Sequence, residues 1–276
     1  MNTRGFIYIA FGEKYVTEAI VSATSAKKYH PYPVTLITDA MPSAELNHIF
    51  DDIRYKKLAR EFSDKLLMEE SPYDETIFLD SDTLLIGSMD PVFLLLSNFD
   101  VALQFTDGGN HYSLPGLPPS FHEPSAGIIA WKKSHKTTYF FRLWTKWYAD
   151  IEKSQGITGA WDQRSLRAAL FFSDVRIAPL SNEYQFVIFV SNLVAGNVIM
   201  VHGRNITSRQ IAELGRSCET RLWVPKVGIC PIYVNAPILG TCRFLFRYTI
   251  RLCVVVGRRV LAAIGAWPYP ESKRRA

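Results

Sequence analysis

The sequence predicts an α/β fold in which helices flank a mostly parallel central sheet. Two observations lead to this class. Short apolar runs of strand length alternate with amphipathic helical segments over the first part of the chain, which is typical of βαβ units. The apolar runs are nearly continuous, as expected for parallel strands that are buried on both faces. Glycine or aspartate follows several of these runs, and ligands bind beyond the carboxyl ends of strands in such sheets.

The elements are assigned from these patterns in chain order. The apolar run at 6–11 predicts a first strand that ends at Gly12, and the one-sided apolar spacing over 14–29 predicts a helix. The segment 107–124 is rich in glycine, proline and serine and predicts a long loop that covers or binds a ligand. Further strands are expected at 33–39, 53–58, 76–79, 101–105, 125–131 and 198–201, and further helices at 63–70, 137–151 and 161–170.

The composition indicates a folded protein with an uneven charge distribution. Hydrophobic residues make up 48% of the 276 residues and aromatic residues 13%, which excludes intrinsic disorder as the main state. Of the net charge of +5, residues 240–276 carry +7, because they hold eight basic residues against Glu271 alone. The remaining body carries −2, so its charge does not favour a nucleic-acid-binding protein.

The basic residues of the last segment form a pattern of their own. Residues 241–267 are strongly apolar, and on a helix four of their arginines fall within an arc of roughly 80°. A narrow cationic stripe on a broad apolar helix suits the surface of an anionic membrane. We therefore divide the chain into a body at 1–239 and a basic amphipathic tail at 240–276 that docks on a membrane or a partner. The alternative is a helix that packs on the body with its arginines outward.

The beginning of the sequence indicates a cytoplasmic location. Its apolar run is short, is followed at once by Glu13 and Lys14, and lacks the small-residue cleavage site of a signal peptide. Arginines interrupt every stretch of the last segment that could span a membrane. We expect a cytoplasmic protein whose tail places it at the inner face of a membrane.

The segment Asp80-Ser81-Asp82 is the strongest chemical signal in the sequence. It follows an apolar strand directly and precedes a second apolar run. Two carboxylates at a strand end supply the hard oxygen ligands that Mg²⁺ or Mn²⁺ prefers when it grips substrate phosphates. The alternative is a pair of acids that solvate a turn, which the buried flanks on both sides make less favourable.

A second signal follows the late strand at 198–201. His202 offers an imidazole, Gly203 allows the backbone to approach a ligand, and Arg204 offers a two-pronged donor for phosphate. Two carboxylates and one imidazole leave coordination positions of a divalent ion open for diphosphate oxygens. We therefore expect Asp80, Asp82 and His202 to ligate one metal ion.

Five segments together resemble metal-dependent glycosyltransferases of the GT-A type, most closely glycosyltransferase family 8. They occur in the family's order over roughly residues 5–205. The ordered set is far more specific than the Asp-x-Asp segment alone. The segments are Ala10-Phe11-Gly12 with Tyr15, Ile77-Phe78-Leu79-Asp80-Ser81-Asp82-Thr83, Ser125-Ala126-Gly127-Ile128, Trp161-Asp162-Gln163, and His202-Gly203.

This resemblance implies a donor site for a nucleotide-diphosphate sugar. Asp162 would bind sugar hydroxyls, and Gln163 would lie beneath the anomeric carbon, as in the retaining members of the family. The metal would be Mn²⁺ or Mg²⁺ on Asp80, Asp82 and His202. The family's Gly-x-x-Lys-Pro-Trp run after the histidine is missing, and Arg204 is the expected replacement for its lysine. The other residues expected to contact the donor are Ala10, Gly12, Tyr15, Asp39, Lys65, Ser81, Ser125, Gly127 and Gly203.

The reaction that the resemblance implies is hexosyl transfer from a UDP-linked nucleotide sugar to a hydroxyl acceptor of an envelope or lipid-linked glycan. Three of the assigned residues also have structural interpretations: Asp39 as a strand-end cap, Lys65 as a solvated helix residue, and Asp162 as a helix N-cap. Two other functions are open. The Asp80–Asp82 pair also fits an aspartate-nucleophile phosphohydrolase, although no two adjacent acidic residues follow it. The last alternative is a catalytically dead, membrane-docked module that binds sugar nucleotides.

Overall fold

The computed structural model describes residues 3–57, 64–106, 113–156, 162–215, 220–225 and 228–231, together with the single helical positions 249 and 253. The strands are β1 (Arg4–Ala10), β2 (Val34–Thr38), β3 (Asp52–Tyr55), β4 (Glu75–Leu79), β5 (Thr83–Leu85), β6 (Val101–Phe105), β7 (Pro124–Lys132), β8 (Ile177–Pro179), β9 (Phe186–Val187), β10 (Asn192–Val194), β11 (Met200–His202), β12 (Arg221–Val224) and β13 (Gly228–Pro231). The helices are α1 (Glu13–Tyr29), α2 (Ala44–Ile49), a 3₁₀ helix (Asp64–Glu70), α3 (Asp90–Leu95), α4 (His135–Gln155), α5 (Asp162–Phe172) and α6 (Ser208–Leu214).

A seven-stranded sheet forms the centre of the described part of the chain, in the order β3-β2-β1-β4-β7-β6-β8. Parallel pairing joins β1 to β2 and to β4, β2 to β3, and β6 to β8. The exception is β7, which runs antiparallel to both of its neighbours, β4 and β6. The prediction of a mostly parallel α/β sheet is therefore confirmed.

Helices cover both faces of this sheet because its strands are apolar on both sides. In β1, Phe6 and Tyr8 belong to the core that packs under α1, whereas Ile7 belongs to the core on the other face. That second core includes Trp144 from α4 and Leu166 from α5. Successive side chains of β1 thus point into the cores on opposite faces of the sheet, so both faces of the strand are buried. This explains its continuous apolar sequence.

A small three-stranded sheet, β5-β11-β9, lies beside the end of β4. Strand β5 starts directly after Asp82 and pairs antiparallel with β11, so that Thr83 lies opposite His202. The sequence predicts β11 but not β5, because Thr83–Leu85 is too short to give a periodic pattern of its own. This pairing joins the two segments that carry the expected metal ligands.

Several expected elements differ from the structure in extent or type. The strand expected at 53–58 is the shorter β3, and the helix expected at 63–70 is a 3₁₀ helix. Residues 107–112 of the expected loop lie outside the described residues, and 113–123 consist of turns and irregular backbone. The sequence interpretation missed α6, which a capping box of Thr207 and Gln210 begins.

The predicted boundary between body and tail is not tested by the described residues. Apart from positions 249 and 253, residues 240–276 lie outside them, and so does the arginine stripe. No helix among the described residues is long and apolar enough to cross a membrane.

Candidate functional site

A cavity of about 500 Å³ opens at the carboxyl ends of β1 and β4. Its position agrees with the rule that ligands bind at this edge of a parallel sheet. It collects side chains from the start of α1, the 3₁₀ helix, the β4–β5 turn, α5 and the segment after β11. The lining residues are Ile9, Ala10, Phe11, Tyr15, Asp64, Lys65, Asp80, Ser81, Asp82, Asp162, Phe189, His202 and Arg204.

Asp80, Asp82 and His202 meet in this cavity, as the sequence predicts. One ligand atom from each lies within 4.8 Å of the others. His202 Nε2 lies 3.2 Å from Asp82 Oδ1 and 3.9 Å from Asp80 Oδ2. Two carboxylates and one imidazole are a donor set that fits a divalent cation such as Mn²⁺ or Mg²⁺.

A tight turn, rather than strand alternation, brings the two carboxylates together. Asp80 follows the last residue of β4, and its carbonyl oxygen accepts hydrogen bonds from Thr83 N at 3.2 Å and Thr83 Oγ1 at 2.7 Å. Thr83 Oγ1 also lies 2.8 Å from Ser22 Oγ, which in turn donates to the buried Tyr8 hydroxyl at 3.0 Å. This buried chain of hydroxyls anchors the turn to α1 and β1.

Gly203 holds the segment after β11 against the same turn. Its N–H donates to the carbonyl oxygen of Asp82 at 2.9 Å. Its φ of 129° lies in the region that favours glycine, and a Cβ there would approach Ile188 Cγ1 to 2.5 Å. Gly203 therefore contributes through its backbone to the placement of His202 and Arg204.

Two buried residues support His202 from behind. Gln185 Nε2 lies 3.3 Å from His202 Nδ1 and donates a short hydrogen bond to Ser125 Oγ. A Cβ on Gly127 would lie 2.5 Å from both Gln185 Nε2 and His202 Nδ1. The structure thus places Ser125 and Gly127 against Gln185 and His202, and neither is among the residues that line the cavity. Gln185 is a site residue that the sequence interpretation missed, because nothing in its pattern distinguishes it from a buried polar residue.

Lys65 lies among carboxylates rather than in solvent. Its Nζ is 3.1 Å from Asp80 Oδ2, 3.1 Å from Asp162 Oδ2 and 3.2 Å from the carbonyl oxygen of Ala126. Burial by itself lowers the pKa of this lysine, but Asp162, Asp80 and Asp64 together raise it above its usual value. Lys65 is therefore a permanent cation that links the β4–β5 turn to α5.

Asp162 is both the first residue of α5 and a lining residue of the cavity. Its Oδ1 accepts a hydrogen bond from Gln163 N at 2.9 Å, while its Oδ2 faces Lys65. The two interpretations of this residue, helix start and ligand contact, are thus compatible. Gln163 follows on α5 and is not among the lining residues, and Trp161 lies outside the described residues.

Asp64 is a second lining residue that the sequence interpretation missed. It begins the 3₁₀ helix that also carries Lys65. Burial raises the pKa of its carboxyl from the usual 3.8 to about 6, and the nearby Asp162 and Asp80 act in the same direction against the effect of Lys65. The folded protein therefore disfavours the ionised form of the Asp64 carboxyl.

Arg204 closes the cavity on the side of α1. Its Nη1 lies 3.1 Å from Asp82 Oδ2, and its guanidinium lies 5.9 Å from the centre of the Tyr15 ring. Glu18 accepts from Arg204 Nε at 2.6 Å and from Nη2 at 2.7 Å. The hydrogen bonds to Glu18 are the main reason that the pKa of Arg204 rises above its usual value.

The remaining residues expected at the donor are Ala10 and Gly12 between β1 and α1, Asp39 after β2, and Ser81 in the β4–β5 turn. Ala10 lines the cavity, whereas Gly12, with φ at 86°, donates its N–H to Asp39 Oδ1 at 2.8 Å. Asp39 therefore caps the turn between β1 and α1 and is not among the lining residues. Ser81 is a buried lining residue whose Oγ donates to Glu18 Oε2 at 3.5 Å.

Comparisons with known proteins show that solved glycosyltransferase structures share this fold. A scan against protein-family models finds no match, and a search of curated protein sequences finds none. Among solved structures, the galactosyltransferase LgtC, in complex with donor and acceptor sugar analogues, gives a TM-score of 0.55 at 14% identity over 76% of this chain and 95% of LgtC. The glycosyltransferase GlyE of Streptococcus pneumoniae TIGR4 gives 0.50 at 15% identity over 67% of this chain and 48% of GlyE.

A third similar structure, the bifunctional glycosyltransferase WbbM, gives a TM-score of 0.51 at 12% identity over 76% of this chain and 47% of WbbM. The chain thus spans about half the length of GlyE and WbbM. At these identities the likeness establishes the fold, which is the GT-A fold of these glycosyltransferases. Membership of family 8 stays a prediction from the motifs.

Proposed function

We propose that this protein is a glycosyltransferase that moves a hexose from a nucleotide-diphosphate sugar, UDP-linked, to a hydroxyl acceptor. One observation carries the proposal: Asp80, Asp82 and His202 meet beside Lys65 and Asp162 in one cavity. The cavity lies at the strand ends of a fold that LgtC, a galactosyltransferase, shares. The acceptor in this proposal is an envelope or lipid-linked glycan.

The charge of the cavity supports a divalent cation, Mn²⁺ or Mg²⁺, as the cofactor. Its lining includes four carboxylates, of Asp64, Asp80, Asp82 and Asp162, and two permanent cations, Lys65 and Arg204. The charges of these six side chains sum to −2, which matches one divalent ion. When bound to Asp80, Asp82 and His202, such an ion neutralises charge on a diphosphate leaving group.

The protein's own side chains supply the rest of the proposed donor site. Tyr15 and Ala10 border the end of the cavity where the nucleoside would bind, and Arg204 offers N–H donors to the diphosphate. Asp162 accepts hydrogen bonds from hydroxyls of the transferred sugar, with Lys65 holding its carboxylate in place. These contacts fix the anomeric carbon relative to the acceptor hydroxyl, which is the main contribution that positioning makes to such a transfer.

The stereochemical part of the proposal is retention of the anomeric configuration, and Gln163 is its proposed residue. Gln163 follows Asp162 on α5, so the helix start that orients one would also orient the other. An amide oxygen is a weak stabiliser of an oxocarbenium-like centre. Product analysis by NMR with a Gln163→Ala variant as a comparison tests this part separately from donor specificity.

The test of the central proposal is Mn²⁺-dependent release of nucleoside diphosphate from a panel of nucleotide sugars. We expect release from a UDP-sugar by the full chain, loss of activity on removal of the metal, and loss in Asp82→Ala. Asp174→Ala is the matched control, because Asp174 is an exposed aspartate whose recorded partner is Lys136 at the surface. Failure of every donor to bind or react would refute the transferase. Release of inorganic phosphate from simple phosphoesters would instead support the phosphohydrolase.

We further propose that residues 240–276 dock on an anionic membrane. The support is the charge of +7 in this segment and its arginine stripe. Co-sedimentation with vesicles that contain phosphatidylglycerol should capture the full chain but not a chain that ends at 239. Equal partitioning of both chains would refute this part while leaving the proposed reaction intact.

A further inference from the structure

Arg204 lies between two acidic partners that belong to different parts of the fold. Its Nη1 contacts Asp82 Oδ2 at 3.1 Å, and its Nε and Nη2 contact Glu18 at 2.6 and 2.7 Å. Glu18 belongs to α1 and is not among the residues that line the cavity. Of the three side chains, Asp82 is the least exposed at 11%, against 21% for Glu18 and 43% for Arg204.

This arrangement puts Arg204 in competition with a cation for Asp82. Both carboxylate oxygens of Asp82 are engaged, Oδ1 by His202 and Oδ2 by Arg204. A metal ion on Asp82 must displace at least one of these contacts. An arginine that paired with Asp82 through two parallel hydrogen bonds would be the stronger competitor, because two-pronged pairs of this kind are among the strongest charged contacts.

Glu18 excludes the side-on form of that two-pronged pair with Asp82, which would use Nε and Nη2. It takes the Nε–Nη2 edge of the guanidinium and leaves Asp82 with a single contact through Nη1. Helix α1 also presents the Tyr15 ring, one turn before Glu18, at 5.9 Å from the guanidinium. Ser81 Oγ lies 3.5 Å from Glu18 Oε2 and ties the same carboxylate to the β4–β5 turn.

We propose that Glu18 is a positioning residue that limits the hold of Arg204 on Asp82, so that a divalent cation can bind Asp82 while Arg204 faces the anionic donor. The inference rests on the proposed function, because it takes Asp82 as a metal ligand. In this proposal Glu18, which lies outside the cavity, sets the metal affinity of the site through its contact with Arg204.

The proposal predicts effects of opposite sign for the two partners. Glu18→Gln should weaken Mn²⁺ binding about fivefold to tenfold, since the freed arginine pairs more fully with Asp82. Arg204→Ala should tighten Mn²⁺ binding several-fold, since the competitor is gone. In the Arg204→Ala background, Glu18→Gln should have no effect, because the residue through which it acts is missing.

The experiment is a titration of the nucleotide-free protein with Mn²⁺, followed by electron paramagnetic resonance of the free ion. It compares the wild type, both single variants and the double variant. Glu13→Gln is the matched control, because Glu13 is an exposed glutamate on the same helix. Circular dichroism melts show whether each variant is folded, and Glu18→Asp provides a second variant that keeps the charge and should keep most of the affinity.

Each outcome bears on the inference. A purely electrostatic effect of the Glu18 charge would persist in the Arg204→Ala background, and equal effects in both backgrounds would overturn the proposal. Tighter binding in Glu18→Gln or weaker binding in Arg204→Ala would also overturn it. A wild-type protein that binds no Mn²⁺ would refute the metal site itself and this inference with it, whereas additive variants of a Mn²⁺-binding protein would refute the inference alone.

Discussion

Gln185 Nε2 lies 3.3 Å from His202 Nδ1, while Nε2 of the same imidazole faces Asp82 at 3.2 Å. In this orientation the buried Oε1 of Gln185 has no hydrogen-bond partner among the described residues. Rotation of the amide by half a turn would let Oε1 accept a hydrogen bond from the Nδ1–H group of His202. The lone pair of His202 Nε2 would then be free for a cation. We therefore expect Gln185 to determine which imidazole nitrogen faces the proposed metal.

The first prediction concerns this amide. Gln185→Leu should weaken Mn²⁺ binding by about 10-fold or more, because partners that orient a ligating histidine contribute about that much to metal affinity. Isothermal titration of the nucleotide-free protein with Mn²⁺ measures the change. Gln155→Leu, at the end of α4, is the control and should bind Mn²⁺ as the wild type does. Unchanged affinity in Gln185→Leu would contradict the assigned role.

The second prediction concerns Gly127. Gly127→Ala should weaken Mn²⁺ binding and destabilise the protein by about 1–3 kcal/mol, because the new Cβ would overlap Gln185 and His202. Gly196→Ala is the control, since its Cβ would meet Glu183 Cγ at an ordinary 3.7 Å. Urea denaturation and the Mn²⁺ titration are the measurements. Equal behaviour of the two variants would show that the space behind His202 is not restricted.

The third prediction concerns Lys65. Lys65→Met should destabilise the protein by about 3 kcal/mol and abolish donor turnover, because it leaves Asp80 and Asp162 without their shared cation. Lys56→Met removes an exposed ion pair with Glu70 and should change the free energy of unfolding by less than about 1 kcal/mol. Urea denaturation compares the two variants. If the Lys65 variant were as stable as the Lys56 variant, the ion pairs of Lys65 with Asp80 and Asp162 would not stabilise the fold.

The fourth prediction is a pH dependence at Asp64. Its pKa is raised to about 6 by burial, so the folded state binds the proton more tightly than the unfolded chain. This carboxyl therefore lowers stability progressively as the pH rises from about 4 to about 6. Asp64→Asn should raise the free energy of unfolding at pH 7.5 by up to roughly 3 kcal/mol, and by little at pH 4.

Thermal melts of Asp64→Asn and the wild type across this pH range test the fourth prediction. The exposed Asp174 provides the control variant Asp174→Asn, which should follow the wild type at every pH. A gain in stability that is the same at pH 4 and pH 7.5 would contradict the prediction, because it would not come from ionisation.

The sequence was sufficient to predict the sheet and the meeting of Asp80, Asp82 and His202, for a physical reason. Strand β4 is fully buried, so its apolar run and the aspartate that follows it are visible without any knowledge of neighbours. The position of Asp82 in the same turn and the late strand before His202 are local features of the same kind. Donor contacts of Lys65 and Asp162 were predicted from the resemblance to known glycosyltransferases, and they stay predictions.

What the sequence could not predict depends on contacts between distant segments. Glu18 and Arg204 are 186 positions apart, and Gln185 and Ser125 are 60 positions apart. A glutamate on an amphipathic helix has no feature that separates it from a solvated one. The same holds for Ser125 and Gly127, whose motif suggests the donor sugar while their described contacts are with Gln185 and His202.

The pairing of Thr83 with His202 has a consequence for how the protein matures. During synthesis Asp80 and Asp82 leave the ribosome well before His202, so the donor set stays incomplete until β11 has emerged and docked on β5. A cation held by both segments would then act as a cross-link across this long stretch of chain and would resist its reopening. Uptake of the proposed metal would thereby be a late step of folding.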